Sequence, residues 1–196
     1  AKDLWQGLYH WQIEPCPDTM SDTAAPYGVV QDTLAGRIHP LQGTLSLAGA
    51  CRAKGVQIHE KYPIHSLADN QVSGPWGDAN ADAIIVAAGV AGFDLIAPHT
   101  LLNPGSGVKG QAALLDIALP HHPQVYADGV YIIPHADGTV ALGSTSENKW
   151  DTNGTDDKLD VVIAKAHAIC PMLKSAPILK RWSGIRPKAR RRDPML

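Results

Sequence analysis

Several features that define special protein classes are missing from this chain of 196 residues. Cysteine occurs only at Cys16, Cys51 and Cys170 and never as C-x-x-C, so we predict reduced thiols and neither a disulfide framework nor a zinc knuckle. No apolar run approaches the roughly 20 residues that span a bilayer, and the first residues lack the apolar core of a signal peptide. We therefore expect a cytoplasmic location and no membrane partner.

An excess of either charge is also missing. A net charge of −2 and a pI near 6.5 give no general attraction to nucleic acid or to anionic surfaces. The basic residues Lys188, Arg190, Arg191 and Arg192 come without an aromatic stacking pattern and are interpreted as a solvated loop, not as a nucleic-acid site. None of the nine histidines forms an H-x-x-x-H pair, so no metal site is predicted. A small molecule is the expected partner.

Two catalytic or binding motifs are not found either. The sequence has no G-x-S-x-G elbow, which argues against a serine hydrolase. It also has no glycine-rich turn that joins a strand to a helix at the start of a βαβ unit, where the pyrophosphate of a dinucleotide binds. The chain begins without methionine and ends with Asp193-Pro194-Met195-Leu196, so we expect both ends to be cut.

The first half of the chain predicts irregular structure followed by a helix and strands. Prolines interrupt residues 1–36, which allow at most short strands. Pro40 suits a first helical position and Gly55 a position just after a helix, which predicts a helix over 40–54 with Leu41, Leu45 and Ala48 on one stripe. Short strands are predicted at 56–60, 64–67 and 71–73. The continuous apolar run 83–89 predicts a strand buried on both faces of a parallel sheet.

The second half, from residue 93, predicts an antiparallel sheet with a helix. Asp137-Gly138 is a hairpin signal between two apolar runs. Thr155 is the predicted N-cap of an amphipathic helix that ends before Pro171. Strands are predicted at 108–117, 130–133, 139–143 and 178–186.

The last predicted strand carries a candidate binding face. Period-2 alternation places Trp182, Gly184 and Arg186 on one side of it. A glycine lets a ligand approach the sheet, and an arginine can bind a carboxylate through two parallel hydrogen bonds. From the residues alone, a solvated salt bridge of Arg186 is favoured over this role by about two to one.

Three segments resemble one enzyme family. They are Gly107-Val108-Lys109-Gly110-Gln111, the stretch from Tyr131 to Glu147, and Trp182-Ser183-Gly184-Ile185-Arg186-Pro187. Together they resemble the substrate-side half of the FAD-dependent amine and amino-acid oxidases, the group that includes D-amino acid oxidase and glycine oxidase. The resemblance is clearest over 107–196, fair over 37–92 and poor before that. After Pro187 the sequence departs from the family's usual continuation, which leaves the substrate class open.

The resemblance implies roles for particular residues. It implies that Arg186 binds the substrate carboxylate, with Trp182 and Gly184 lining the pocket. It implies cofactor contacts for Ile64 beside the adenine, for the small residues Ala87, Ala88 and Gly89 at a strand end, and for Lys109 near the isoalloxazine ring, although a solvated Lys109 is equally compatible with the sequence.

The predicted fold class is α+β. It consists of an antiparallel sheet substrate domain with helices, plus a remnant of a doubly wound FAD-binding sheet. Residues 1–92 are assigned to a partial FAD-binding domain, irregular over 1–36 and with helix and strands over 37–92. Residues 93–196 are assigned to the substrate-binding domain.

The function implied by the resemblance is oxidation of the C–N bond of an amino acid or small amine, with FAD as the cofactor of the complete protein. Because the glycine-rich unit is not found, we expect this chain alone to hold FAD weakly and to be inactive. Two alternatives stay open. One is a non-catalytic binding module, and the other is an FAD-dependent 2-hydroxyacid or glycerol-phosphate dehydrogenase of the same superfamily, so the small molecule is an amino or a hydroxy acid.

Overall fold

The computed structural model describes residues 11–100 and 103–190, and within these ranges it contains ten strands and three α-helices. The strands are β1 Trp11–Glu14, β2 Val29–Asp32, β3 Ser66–Ala68, β4 Gln71–Gly74, β5 Gly77–Asn80, β6 Gly105–Asp116, β7 Val125–Ala127, β8 Val130–Pro134, β9 Thr139–Gly143 and β10 Ile178–Ala189. The helices are α1 Pro40–Ala53, α2 Ala91–Ile96 and α3 Asp157–Ile169, with short 3-10 turns at Ala97–His99 and Pro171–Ser175. Arg191, Arg192 and the first ten residues, for which predictions were made, lie outside the described residues.

A five-stranded sheet with the order β10-β6-β9-β8-β7 forms the centre of the second half. The pairs β6–β9, β8–β9 and β7–β8 are antiparallel. At the two ends of β10, the Asp116 amide donates to the Pro177 carbonyl and the Arg190 amide to the Pro104 carbonyl, both at 2.9 Å. Because these bonds join opposite ends of the two strands, β10 runs antiparallel to β6. The predicted antiparallel sheet is confirmed.

The turn between β8 and β9 forms where Asp137-Gly138 predicted it. Gly138 has a φ of +86°, a backbone conformation that glycine adopts without strain. The Asp137 carboxylate accepts hydrogen bonds from the amide of Thr139 at 3.2 Å and from its hydroxyl at 2.7 Å. These local bonds fix the register of the hairpin, in which Ile132 faces Leu142 and Pro134 faces Val140.

One face of the sheet is covered by α3, and the core lies between them. Alternate strand residues are buried there, including Ala113, Leu115, Val140 and Leu142, which are all 0% exposed. The helix contributes the predicted apolar stripe Leu159, Val162, Ile163, Ala166 and Ile169. The helix begins one residue later than predicted, because the N-cap is Asp156 and not Thr155: Asp156 has an extended backbone, and its carboxylate accepts from the Lys158 amide at 3.0 Å.

The chain divides into two compact units that are interleaved in sequence. The first contains residues up to Pro40 together with Gly110–Gly184, and the second contains Leu41–Lys109 and the residues from Ile185 on. In the first unit, Met20 and Ala25 join the sheet core, and the Ser21 amide donates to the Ile169 carbonyl at 2.8 Å. The division into FAD-binding and substrate-binding domains at residue 92 stays a prediction.

The second unit contains α1, α2 and the antiparallel meander β3-β4-β5. Helix α1 has nearly the predicted bounds, but Leu41, Leu45 and Leu47 are 62–70% exposed. The strands predicted at 56–60 and 83–89 are wrong, since neither stretch pairs with a strand among the described residues, and Ile85 is 90% exposed. A parallel strand needs neighbouring strands on both sides. A local apolar run does not show whether such neighbours exist, which is why it predicted a strand wrongly.

The α+β class is confirmed by this mixture of helices and antiparallel sheets. The described residues of the first half contain no pair of parallel strands. Among the helices that the structure describes, none has the length and apolar character needed to cross a membrane.

Two adjacent valines in α3 test where the core lies. Val162 is 7% exposed and Val161 is 56% exposed. Val162→Ala should lower the free energy of unfolding by about 1.5–3 kcal/mol, since it removes buried methyl groups and leaves a cavity. Val161→Ala, the same change on the solvent side, should alter it by less than about 0.5 kcal/mol. Urea unfolding measures both, and equal losses would contradict the assignment of the buried face.

Candidate functional site

The two faces of β10 have different surroundings. Arg181 Nη2 donates to the Asp160 carboxylate on α3 at 2.7 Å, and the Ser183 hydroxyl donates to the Asn153 carbonyl just before α3. Arg181 and Ser183 therefore point toward the α3 side of the sheet. Because side chains alternate along a strand, Trp182 and Gly184 lie on the opposite side, which we call the open face.

The open face has free space at its glycine. A Cβ atom added to Gly184 would have no heavy atom within 4 Å, and Trp182 is 37% exposed. Arg186 follows two residues after Gly184 on the same strand and is exposed. Alternation gives it the same face as Gly184, and its role there stays a prediction. Trp182 and Gly184 belong to the first unit and Arg186 to the second.

Small residues continue the open face across the neighbouring strands. Gly143 of β9 is paired with Ala112 of β6 on one side and with Tyr131 of β8 on the other. The Tyr131 side chain is 49% exposed, and its ring lies 4.5 Å from that of Tyr126. Tyr131 begins one of the three family-like segments, but no site role was predicted for it. The signal was available, because alternation places Tyr131 opposite the buried Val130 and Ile132.

On the α3 side, a buried polar network centres on Gln111, which is 0% exposed. Its amide nitrogen donates to Glu147 at 2.9 Å and to Asp156 at 2.8 Å, and its amide oxygen accepts from the Asp156 backbone at 2.8 Å. Thr145 donates to Glu147 at 2.6 Å, and its hydroxyl oxygen accepts from the Gln111 backbone amide at 3.0 Å. Lys158 donates to the other oxygen of Glu147 at 2.6 Å. The network joins β6 to the segment between β9 and α3.

The network determines the ionisation of Glu147. Burial alone would raise the pKa of this carboxyl, but hydrogen bonds from Lys158, Thr145 and Gln111 outweigh burial and lower the pKa to about 2. The hydrogen bond between Lys158 and Glu147 also raises the pKa of Lys158. Glu147 is therefore a structural anion at neutral pH. Its role was not predicted, because only Thr145 is local, whereas Gln111 lies 36 residues before it and Lys158 lies 11 residues after it.

The residues predicted to contact the cofactor lie in the second unit. Ala87, Ala88 and Gly89 are exposed, Gly89 has a φ of +60°, and a Cβ atom added to it would have no atom within 4 Å. Ile64 is half-buried and precedes β3. These small side chains leave room for a flat ligand, so this part of the chain fits a portion of FAD. The roles of all four residues stay predictions.

Lys109 lies on β6 and is 0% exposed. Alternation gives it the face of Gln111, which is the face opposite to that of Arg186. A solvated Lys109, the alternative that the sequence left open, is therefore wrong. Its role beside the flavin stays a prediction.

The spacing G-x-G-x-x-G does occur once, from Gly105 to Gly110. It lies inside β6 and not between a strand and a helix. A Cβ atom at Gly105 would lie 2.4 Å from the Phe93 ring and 2.5 Å from the Lys188 carbonyl, so this glycine serves close packing. No turn that could hold a pyrophosphate in the way of a βαβ unit is present among the described residues.

Comparison with known proteins decides the family. The model of the family described as "FAD dependent oxidoreductase" matches residues 11–196. The chain belongs to this family. It is 34% identical over 139 residues to a glycine oxidase of Pseudomonas aeruginosa, an alignment that covers 67% of the chain and 38% of that protein. It is 37% identical over 109 residues to a glycine oxidase of Pseudomonas putida, covering 55% of the chain and 30% of that protein.

A crystal structure of glycine oxidase from Geobacillus kaustophilus has the same fold. It superimposes with a TM-score of 0.83 at 19% identity, over 96% of the chain and 54% of that protein. The chain thus spans about a third to a half of the length of these relatives. The resemblance to the FAD-dependent oxidoreductases, and FAD as the cofactor of that family, are confirmed.

The ionisation of Glu147 predicts a specific acid response. A folded-state pKa of about 2, below the ordinary value of 4.5 for a glutamate, gives stability that is present above pH 4.5 and is lost as the pH falls toward 2. Glu147→Gln should remove this part of the acid loss and lower the free energy of unfolding at pH 7 by about 1–3 kcal/mol. Urea unfolding from pH 7 to pH 2 measures both effects. Parallel curves for the two proteins over the acid range would contradict the role given to Glu147.

Proposed function

We propose that this chain carries the substrate-binding part of an FAD-dependent oxidoreductase that oxidises the C–N bond of an amino acid or small amine. Family membership supports the cofactor and the class of reaction. Two relatives that act on glycine by name support an amino-acid substrate. The observation that carries the proposal is the open face of β10, where an exposed arginine follows a glycine with empty space beside it.

The chain's own residues bind and orient the substrate. Arg186 holds the carboxylate through its planar guanidinium, which matches the two carboxylate oxygens in a bidentate pair. Gly184 leaves the space in which the substrate backbone lies against the sheet. Trp182 and Tyr131 form aromatic walls that exclude water from the bound molecule. When bound, FAD accepts the hydride from the carbon that carries the amine.

The cofactor contacts proposed for this chain are partial. Ile64, the small residues Ala87, Ala88 and Gly89, and Lys109 are the positions that we assign to FAD. Without a glycine-rich turn at a helix N-terminus, these residues give the pyrophosphate no cradle. This chain by itself is therefore expected to bind FAD weakly and to show no turnover. A cytoplasmic location is part of the same proposal.

The test of the reaction is anaerobic reduction of the flavin in an FAD-loaded protein that carries this chain together with a glycine-rich FAD-binding unit, called the holoenzyme below. Loss of the flavin absorbance with glycine or D-alanine, and none with glycolate or D-lactate, would support oxidation at the C–N bond. Reduction by the hydroxy acids alone would replace the proposal with the 2-hydroxyacid dehydrogenase alternative. No reduction by any of them would favour a non-catalytic binding module.

Two arginines of one strand test the carboxylate site. Arg186→Gln should lower kcat/KM for an amino acid by about a hundredfold or more, because one bidentate charge-assisted pair is lost. Arg186→Lys should recover only part of it, since a lysine cannot form the bidentate pair. Arg181→Gln changes the same residue type on the α3 side, where it only loses its ion pair with Asp160, and should leave kcat/KM within about twofold. Equal effects at both arginines would contradict the site.

The empty position at Gly184 makes a separate prediction. Gly184→Val should fold with an unfolding free energy within about 1 kcal/mol of wild type, because no atom lies within 4 Å of the new Cβ and valine suits a strand. The same change should raise KM for an amino acid at least about tenfold, because it fills the space assigned to the substrate. Urea unfolding and steady-state kinetics measure the two effects. A stable variant with unchanged KM would show that the substrate does not lie there.

A further inference from the structure

A second cation lies next to Arg186 on the open face. Strand β10 continues to Ala189, and the bond from the Arg190 amide to the Pro104 carbonyl holds its end in place. Lys188 is two residues beyond Arg186, so alternation gives it the same face, and it is exposed. Two residues along a strand correspond to about 6.5–7 Å.

The charged residues of strand β10 itself are all basic. From Ile178 to Arg190 the sequence contains Lys180, Arg181, Arg186, Lys188 and Arg190, and no aspartate or glutamate. Arg181 is neutralised by Asp160, but it points to the α3 side. Among the described residues, no ion pair with a carboxylate is formed by Lys188. The exposed Lys188 ammonium therefore adds a positive charge next to Arg186 on this strand.

Resting on the proposed function, we infer that the substrate carries a second carboxylate, which Lys188 binds while Arg186 binds the carboxylate next to the reacting carbon. The two cations suit different tasks. The fork of Arg186 fixes the orientation of one carboxylate, whereas the flexible stem of Lys188 brings a point charge to a group whose position varies with the substrate. Substrates of this class are amino acids of the aspartate or iminodiacetate type.

The inference also explains how smaller substrates are disfavoured. The Lys188 side chain is exposed, so a substrate that ends in a methyl group leaves its ammonium in water and gains nothing from it. A second carboxylate adds a charge-assisted hydrogen bond at the same place. Lys188 would thus determine specificity without taking part in the reaction.

Matched substrate pairs test this inference in the FAD-loaded holoenzyme. Sarcosine and iminodiacetate differ only by one carboxylate, and so do D-alanine and D-aspartate. Anaerobic flavin reduction gives the rate and the apparent affinity for each, whatever the natural electron acceptor. The wild-type protein should prefer the dicarboxylate of at least one pair by about tenfold or more, the size expected for one charged hydrogen bond.

Three variants assign the preference to Lys188. Lys188→Gln should abolish the dicarboxylate preference and leave the monocarboxylate values within about twofold, while Lys188→Arg should retain most of the preference. Lys180→Gln is the matched control, since Lys180 lies on the same face but eight residues, or about 26 Å, from Lys188 along the strand. It should change neither substrate, because screening removes a distant exposed charge.

The outcomes separate this inference from the proposed function. If sarcosine and D-alanine reduce the flavin but the dicarboxylates do so no better, the oxidase proposal stands and the role of Lys188 is overturned. The role is also overturned if Lys188→Gln affects both members of a pair equally, or if Lys180→Gln has the same effect. If no member of either pair reduces the flavin, the proposed function fails and the inference fails with it.

Discussion

The side-chain amide of Gln111 is the interaction on which the rest of the first unit depends. Its nitrogen has two protons, and each is donated to a carboxylate, while its oxygen accepts from a backbone amide. Because a carboxylate anion can only accept, the amide has one possible orientation. One side chain on β6 thereby fixes the segment that leaves β9 and the N-terminus of α3. A buried network with every member satisfied specifies one arrangement, whereas a broken member leaves a desolvated charge.

This anchoring explains how the two faces of the sheet divide their tasks. The α3 side holds the apolar core and the Gln111 network, and it is closed to solvent. On the other side, the Tyr131 and Trp182 side chains are partly exposed and the space above Gly184 is empty. Because consecutive side chains of a strand point in opposite directions, one short sequence serves both purposes. In β10, Arg181 and Ser183 attach the strand to the α3 side, and Trp182 and Gly184 stay available for a ligand.

Sequence patterns predicted correctly those elements of secondary structure that are determined by residues close together in the chain. The hairpin at Asp137-Gly138, the amphipathic helix α3 and the alternation in β10 all depend on residues within a few positions of one another, so sequence was sufficient. The strand at 83–89 was wrong because a parallel strand depends on partners that no local pattern specifies. The Gln111 network was not predicted because residues that bond directly in it are up to 45 positions apart. The G-x-G-x-x-G spacing at Gly105–Gly110 likewise does not indicate a phosphate site, because no turn and helix N-terminus surround it.

Among the candidate site residues, those on β10 followed from alternation and those near Gly89 from the family resemblance. The structure adds surroundings to each of them, such as the empty space beside Gly184 and the burial of Lys109. The same alternation along β8 would have placed Tyr131 on the open face from the sequence. The position of Lys188 could not be predicted, because a proline such as Pro187 usually ends a strand inside a sheet. In the structure β10 is an edge strand and continues past Pro187.

The separation of the two faces has a consequence for how such a protein changes over evolutionary time. A side chain added at Gly184 meets no heavy atom within 4 Å, so its effect on folding is small compared with that of a core substitution. New ligand preferences can then accumulate there without compensating mutations elsewhere, and the protein stays above its threshold of stability. A sheet that is packed against a helix on one face can therefore change its ligand selectivity on the other face while the fold stays the same.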